Sequence, residues 1–180
     1  MNIYTKTGDK GETSLLGAKR VKKNCLEMVA IGEIDELNAY IGIVCAYYET
    51  HDEFSLFFNA IQHNLFVVGG ELATVQTDLV EVPRLSSIAI KDVEKMIDKM
   101  QIELTALTQF ILPGGSIIAS HAFLARAVCR RAERAMVELS HHYDISEEIK
   151  QYLNRLSDFL FVFARYVNYK NDVEEVVWKK

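Results

Sequence analysis

Proline is nearly absent from this sequence, since only Pro83 and Pro113 occur in 180 residues. Glycine becomes sparse after residue 42, and the sequence shows almost none of the alternating patterns that predict strands. Without these breakers, long stretches of the chain are free to form helices. The sequence therefore favours an all-α protein.

Long apolar runs are also missing, because none reaches the roughly 18–20 residues that would span a bilayer. The N-terminus lacks the apolar region of a signal peptide. Cys25, Cys45 and Cys129 are scattered, without the pairing that a metal site or a disulfide framework needs. We therefore expect a cytoplasmic protein with reduced thiols and no membrane partner. A net charge of -5 and a pI near 5.6 argue against a nucleic-acid partner.

Apolar residues with helical spacing predict five helices. Their expected ranges are about 24–49, 53–77, 88–104, 116–142 and, with Ser146 as the N-cap, 147–169. Since 49% of the residues are hydrophobic, the chain has enough apolar material for one folded domain over 1–180. We predict an all-α five-helix bundle over 24–170, preceded by an N-terminal phosphate-binding loop within an arm, 1–23.

The first 23 residues differ from the rest of the chain in charge. They carry six cations and two acids, about +4 in a chain of net charge -5, around the run T-G-D-K-G-E-T-S. Glycines let backbone N–H groups approach a phosphate, while hydroxyl groups and lysines add donors and charge. A disordered basic tail is the alternative. The regular turn chemistry favours a phosphate-binding loop.

A second cationic feature lies on the fourth helix, in R-A-V-C-R-R-A-E-R. Arg126, Arg130 and Arg134 recur every four residues and so share nearly one helix face. Guanidinium groups in such a column repel each other unless an anion or acids lie opposite, and their planar forks match phosphate oxygens. The alternative is a solvated face with Arg–Glu pairing. Combined with the basic arm, the column favours a polyphosphate clamp.

Four further residues are candidates for the site. Asp35 interrupts an apolar helix, so we expect it to be partly buried and paired with a cation. Asn154 and Asp158 on the fifth helix either contact a nucleoside or belong to a buried hydrogen-bond network. Phe110, beside a Pro-Gly-Gly turn, is either a core residue or part of a ligand surface.

These motifs together resemble the PduO-type ATP:cob(I)alamin adenosyltransferases over nearly the whole chain. The matching segments are T-K-T-G-D-K-G-E-T-S-L-L-G, G-E-I-D-E-L-N-A-Y-I-G, F-I-L-P-G-G, R-A-V-C-R-R-A-E-R and Y-L-N-R-L-S-D-F-L-F-V-F-A-R. The resemblance implies a homotrimer with an active site at each subunit interface. ATP would lie between the arm of one subunit and the fourth and fifth helices of its neighbour.

The resemblance also implies the chemistry. The cobalt of cob(I)alamin attacks the ribose C5′ of ATP and expels triphosphate, with Mg²⁺ sharing the charge and K⁺ as a further candidate ion. An external flavin-type reductase supplies the electron, and handover of the product to an adenosylcobalamin-dependent enzyme is a candidate next step. The implied ATP contacts are Thr5, Lys6, Thr7, Gly8, Thr13, Ser14, Lys22, Arg130, Arg131, Ala132, Glu133, Arg134 and Asn154.

Four of the implied roles concern the reacting centre and the corrin. Asp35 resembles an acid that pairs with Arg126 across the interface, and Arg130 resembles the arginine nearest the triphosphate. Phe110 resembles the aromatic residue that occupies the lower face of the corrin and excludes the dimethylbenzimidazole ligand. Phe123, in the corrinoid pocket, stands where relatives often have histidine.

Two further points qualify the resemblance. Ala18 stands where the arm often has a second glycine. The alternative function is a non-catalytic bundle that carries ATP or a corrinoid to a partner enzyme, and a purely structural helical oligomer is a third hypothesis. The presence of Arg130, Asn154 and Phe110 argues against a carrier, because storage does not require a triphosphate clamp.

Overall fold

Five helices form a bundle, and a short hairpin precedes them. The computed structural model describes residues 3–4, 6–48 and 52–179. The hairpin pairs β1 (Glu12–Ser14) with β2 (Arg20–Lys22), and the helices are α1 (Leu26–Tyr47), α2 (Glu53–Leu72), α3 (Ser87–Gln101), α4 (Ile117–Leu139) and α5 (Glu147–Lys170). The predicted all-α five-helix fold is confirmed, and the hairpin is a feature that the sequence did not predict.

Helix α5 has more buried residues than any other helix and packs against both α4 and α3. Helix α1 packs against α4 and α2, which completes the bundle. Aromatic rings join α2 to α5, where Phe58 and Phe163 meet edge to face with ring centroids 4.8 Å apart. No helix in the described ranges combines the length and the apolar content that crossing a bilayer requires.

Helices α1 to α4 all end before the predicted residues, and in α2 and α4 a hydroxyl group binds one of the last carbonyls. The Thr74 hydroxyl donates to the Glu71 carbonyl at 2.9 Å, and α2 stops at Leu72 rather than near residue 77. The Ser140 hydroxyl donates to the Val137 carbonyl at 2.7 Å, and α4 stops at Leu139 rather than near 142. Such local bonds compete with the helical pattern.

The start of α5 is only partly as predicted. Ser146 occupies the N-cap position, but its side chain makes no capping hydrogen bond. Glu147 and Glu148 lie in the first turn, where their charge interacts favourably with the helix dipole. The acids therefore provide the local stabilisation that the serine does not.

A buried carboxylate ties together three segments that are distant in sequence. Glu27, at the start of α1, is only 4% exposed and accepts hydrogen bonds from the Tyr143 hydroxyl at 2.6 Å and from the Gln76 amide. The Gln76 amide also donates to Tyr143 at 2.9 Å. Gln76 follows α2 and Tyr143 follows α4, so the network fixes the bundle end from which the N-terminal arm emerges.

This network predicts a specific loss of stability in acid. Burial alone would raise the pKa of Glu27, but hydrogen bonds from Tyr143, Cys25 and Gln76 lower it from 4.5 to about 2. The stabilisation is therefore complete above the unfolded-state pKa and disappears as the pH falls through about 4.5 towards 2. It amounts to about 3 kcal/mol in the free energy of unfolding.

The measurement is urea unfolding of the wild type and Glu27→Gln between pH 7 and pH 2. We expect the wild type to be the more stable at neutral pH and the difference to shrink as the pH falls. A difference that stays constant over this range would contradict the assigned role of the carboxylate.

Candidate active site

The N-terminal arm is an ordered hairpin with two distinct faces. Thr13 pairs with Val21, and both are half-buried, whereas Ser14 and Lys22 are exposed on the opposite face. Of the predicted ATP contacts, Ser14 and Lys22 therefore share a solvent-facing surface and Thr13 does not. Lys6 and Thr7 are exposed before the hairpin, and Thr5 lies outside the described residues.

The turn between the strands needs two residues with positive φ. Gly17 has φ +86° and Ala18 has φ +64°, a region that costs a non-glycine residue roughly 1–2 kcal/mol. The Leu15 N–H donates to the Lys19 carbonyl at 3.0 Å and closes the turn. Backbone geometry thus explains why the family motif often has glycine at the position of Ala18. In this chain alanine occupies that position in a strained conformation.

Sequence reasoning missed two cations that organise the arm. Arg20 donates to the Thr7 carbonyl at 2.9 Å and lies 3.6 Å from the Glu12 carboxylate, so it links the leading segment to both strands. The Lys23 ammonium lies so close to Gly8 that a Cβ there would be 3.0 Å from it. Hydrogen bonds anchor the arm within the hairpin and to Ala73, on the α2 side of the bundle.

The arginine column lies on the outer face of α4, and only one neighbouring arginine is neutralised. Arg131 donates to Glu33 at 2.6 Å and also to Glu36, and these hydrogen bonds raise its pKa. Arg126, Arg130 and Arg134 make no ion pair among the described residues. The alternative of a solvated face with some Arg–Glu pairing describes Arg131, whereas Arg126, Arg130 and Arg134 make no such pair among the described residues.

Two members of the predicted sets are buried. Ala132 is 0% exposed in the bundle core, so its side chain is not available to a nucleotide. Phe123 is 6% exposed and packs edge to face on Phe161, with centroids 5.9 Å apart. It lies behind Phe161 rather than lining an open pocket. The guanidinium of Arg126 lies 5.6 Å from the Phe161 ring centroid, which makes Phe161 the aromatic residue at this surface.

Asn154 is held in one orientation beside the arginine column. Its amide nitrogen donates to Glu133 on α4 at 3.1 Å, and its carbonyl oxygen accepts from Arg155 at 2.7 Å. Arg155 in turn contacts Glu94 on α3 at 3.0 Å. Asn154 therefore belongs to a part-buried network, and that network brings it next to the run that contains Arg130 and Arg134. Asp158 is exposed on the same helix.

Asp35 is not buried as the sequence predicted. It is exposed on the outer face of α1, because Ile34 and Leu37 on either side occupy the core-facing positions of that helix. Its expected partner, Arg126, is only half-buried on α4 of the same chain. The prediction of a partly buried acid is therefore wrong for the single chain.

A cavity of about 740 Å³ opens between α3, α5 and the segment that follows α3. Its lining includes Arg155, Asp158 and Phe161, together with Leu107 and Arg165. This size and mixture of apolar and polar groups suit an organic ligand. The cavity adjoins both the Asn154 network and the Arg126–Phe161 contact.

Phe110 projects from a loop whose backbone is fixed while its own ring is 78% exposed. Asn168 on α5, only 3% exposed, donates to the Gly114 carbonyl and accepts from the Ser116 N–H, both at 2.9 Å. Gly115 has φ +106°, and a Cβ there would lie 2.3 Å from the Asn168 side chain. The interpretation of Phe110 as a core residue is therefore wrong, and the ring belongs to an exposed surface.

The fold and these surfaces together define the class of protein: an all-α bundle that carries a cationic face on α4 and an exposed aromatic residue on a separate loop. The cobalamin adenosyltransferase family model matches residues 3–167, and the chain belongs to that family.

Relatives and solved structures resemble this chain along its full length. The cobalamin adenosyltransferase of Cupriavidus metallidurans is 42% identical over 99% of this chain and 94% of its own. The corrinoid adenosyltransferase of Bacillus subtilis is 40% identical over 100% of this chain and 93% of its own. A phenylalanine-to-alanine variant of the PduO-type ATP:corrinoid adenosyltransferase from Lactobacillus reuteri, complexed with cobalamin and ATP, is 35% identical. Its TM-score is 0.94, over 99% of this chain and 100% of that chain.

The clamp on the Phe110 loop predicts that two adjacent glycines differ in tolerance. Gly115→Ala meets the Asn168 side chain and a positive φ, so we expect it to destabilise the protein by about 2 kcal/mol or more. At Gly114 a Cβ meets nothing within 4 Å, so Gly114→Ala is the matched control and should change stability little. Urea unfolding of both variants makes the comparison. Equal destabilisation by the two substitutions would contradict the clamp.

Proposed function

We propose that this protein is an ATP:cob(I)alamin adenosyltransferase, which transfers the 5′-deoxyadenosyl group of ATP to the cobalt of cob(I)alamin and releases triphosphate. The observation that carries the proposal is the α4 stripe of Arg126, Arg130 and Arg134, left without carboxylate partners among the described residues of a chain from this family. Three uncompensated guanidinium groups on one face suit a triphosphate.

The nucleotide is held between the arm and the α4–α5 surface. Lys6, Thr7, Gly8, Ser14 and Lys22 supply cations, hydroxyl groups and backbone N–H groups to the phosphates, and Thr5 and Thr13 stay predicted contacts. Arg130 and Arg134 contact the triphosphate from α4. Asn154, whose amide is already oriented by Glu133 and Arg155, contacts the nucleoside. Arg131, already paired with Glu33 and Glu36, shapes the surface rather than binding phosphate.

In this reaction the protein positions the reactants and stabilises the charge on the leaving group, and it does not need a general base. The cobalt centre of the corrinoid substrate is the nucleophile, so no proton is removed from it. A new cobalt–carbon bond forms at C5′ while the C5′–oxygen bond breaks, and the electron pair leaves with the triphosphate. Arg130 stabilises the charge that develops on this leaving group, and the clamp holds C5′ in line with the cobalt.

Mg²⁺ fits this site as an ion carried by the nucleotide. Among residues 3–4, 6–48 and 52–179, no three His, Cys, Asp or Glu side chains form a metal-binding group. An ion held mainly by phosphates and water needs only one or two protein carboxylates. Glu133 lies within the arginine run and is the carboxylate that would contact it. Mg²⁺ supplies further charge neutralisation on the triphosphate, and K⁺ stays a prediction.

Phe110 acts on the corrinoid side of the site. Its exposed ring covers the lower axial face of the corrin and keeps the dimethylbenzimidazole ligand off the cobalt. Loss of that ligand makes cobalt(II) easier to reduce, and an external flavin-type reductase in the cytoplasm supplies the electron. The product then passes to an adenosylcobalamin-dependent enzyme.

The active protein is a homotrimer in this proposal. Its arm is anchored to Ala73 on the α2 side of its own bundle, which suits an arm that serves the α4–α5 surface of a neighbouring subunit. Asp35 is exposed and charged, and α1 of one subunit facing α4 of the next would pair it with Arg126. Sedimentation equilibrium tests this directly, since a monomer would leave each site incomplete.

An anaerobic assay with ATP, Mg²⁺ and chemically reduced cobalamin tests the function. Loss of the cob(I)alamin absorbance with one triphosphate released per cobalt supports the transferase. Tight binding of ATP or corrinoid without triphosphate release supports the carrier alternative and overturns the proposal.

Arg130→Ala should lower kcat by at least ~100-fold, because it removes a charge contact to the leaving group in the transition state. Lys91→Ala, which removes an equal charge from an exposed position on α3, is the control and should have normal kcat. Steady-state triphosphate release gives both values. Near-normal turnover by the Arg130 variant would remove that residue from the reaction.

Phe110→Ala should slow the conversion that starts from cob(II)alamin by about 10-fold or more, because its ring favours the ligand-free state that is reduced. Leu79→Ala, another exposed apolar side chain, should have no effect. Cobinamide, which lacks the dimethylbenzimidazole, should be much less sensitive to the Phe110 substitution. Equal losses with both corrinoids would show that the ring does not act through the axial ligand.

A further inference from the structure

The segment 173–179, here called the C-terminal strap, runs along the Phe110 loop. Val177 pairs with Ile111 in an antiparallel bridge. The Leu112 N–H donates to the Val176 carbonyl and the Trp178 N–H donates to the Phe110 carbonyl, each at 2.8 Å. The strap therefore forms a short sheet-like contact with the backbone that carries the Phe110 ring.

A partly buried ion pair joins the strap to α5. Arg165 is only 8% exposed, and its guanidinium makes a forked contact with Glu175, at 2.6 Å from Nε to Oε1 and 3.3 Å from Nη2 to Oε2. Its Nη2 also donates to the Thr105 carbonyl at 2.9 Å. Forked, charge-assisted contacts of this kind are strong and directional. Glu175 immediately precedes Val176, the first strap residue bonded to the Phe110 loop.

Backbone hydrogen bonds and partial apolar burial also hold the strap. Val177 is 39% exposed and Trp178 is 47% exposed, so both side chains are partly buried, whereas Glu174 is exposed. The Val173 N–H donates to the Asn168 carbonyl at 2.9 Å at the near end of the strap. Between this near end and the Phe110 loop, the Arg165–Glu175 pair is the polar side-chain contact that the described residues of the strap make with the bundle.

Phe110 depends on its backbone for its position. With 78% of its surface exposed, its ring gains little support from packing within its own chain. The Asn168 clamp fixes the Pro-Gly-Gly side of the loop, and the strap fixes the Phe110 side. Release of the strap would leave the loop anchored only on the Gly114 side and would widen the range of positions that the ring can adopt.

We propose that Arg165 and Glu175 are positioning residues for the corrinoid part of the reaction: their ion pair holds the strap against residues 110–112, and the strap sets where the Phe110 ring meets the corrin. The role rests on the proposed function, because Phe110 matters for catalysis only if a corrinoid binds there. The pairing itself is a property of the free protein and can be tested without substrate.

The first test compares Glu175→Gln with Glu174→Gln, which removes the same charge one residue away from an exposed site. Trp178 is the sole tryptophan of the chain, so its fluorescence anisotropy reports on the strap directly. In Glu175→Gln we expect lower anisotropy and amide hydrogen exchange about 10-fold or more faster at Leu112 and Trp178. Glu174→Gln should match the wild type in both measurements. Unchanged exchange and anisotropy in Glu175→Gln would overturn the proposal.

The second test separates positioning from general damage. In Glu175→Gln the KM for cobalamin should rise and kcat from cob(II)alamin should fall, while the KM for ATP stays at the wild-type value. Glu175→Asp keeps the charge and should recover part of both corrinoid parameters. A loosened strap with wild-type corrinoid kinetics, or equal changes for ATP and cobalamin, would overturn the positioning role. Inactivity of the wild type would instead refute the proposed function.

Discussion

Helix α5 is buried on nearly all sides, and the polar groups that it carries into the interior must find partners there. Each partner comes from a different segment of the site. Asn154 bonds to Glu133 on α4, Arg165 bonds to Glu175 in the strap, and Asn168 bonds to the 114–116 turn. The need to give the polar groups of one buried helix hydrogen-bond partners therefore positions Asn154 beside α4, the strap beside α5 and the turn that follows Phe110.

The distribution of charge follows a similar logic on α4. Its core-facing side carries residues such as Ala132. Its outer side carries arginines, of which one is paired with carboxylates and three are not paired among the described residues. Arg131 is matched by the acids of α1, so it contributes to the packing of α1 on α4. The arginines left unmatched are the ones that a polyanion can neutralise. The proposed triphosphate site depends on these arginines having no carboxylate partner among the described residues, because a carboxylate beside each arginine would compete with the ligand.

Local patterns predicted the number, order and type of the helices, because periodicity and the two prolines act within a few residues. They did not predict the early ends of α1 to α4, two of which carry a hydroxyl bonded to a last carbonyl. They also did not predict the hairpin, because its turn has Ala18 at φ +64°, where glycine is usual. The arginine column and Phe110 were chosen as site residues because their types and spacing are chemically specific, and their roles stay predictions. The exposure of Asp35 and the close contact of Gly115 with Asn168 depend on residues that are remote in sequence. Local sequence patterns do not identify such partners.

The hydrogen-bond network around Glu27 also affects the order in which the elements of the protein fold. The residues that bond to Glu27 are 49 and 116 positions away along the chain. Closing loops of that length costs entropy before any contact forms, so such contacts are made late in folding. The start of α1, directly after the arm, therefore reaches its final contacts only when α2 and α4 are in place, so this end of the bundle is completed late in folding.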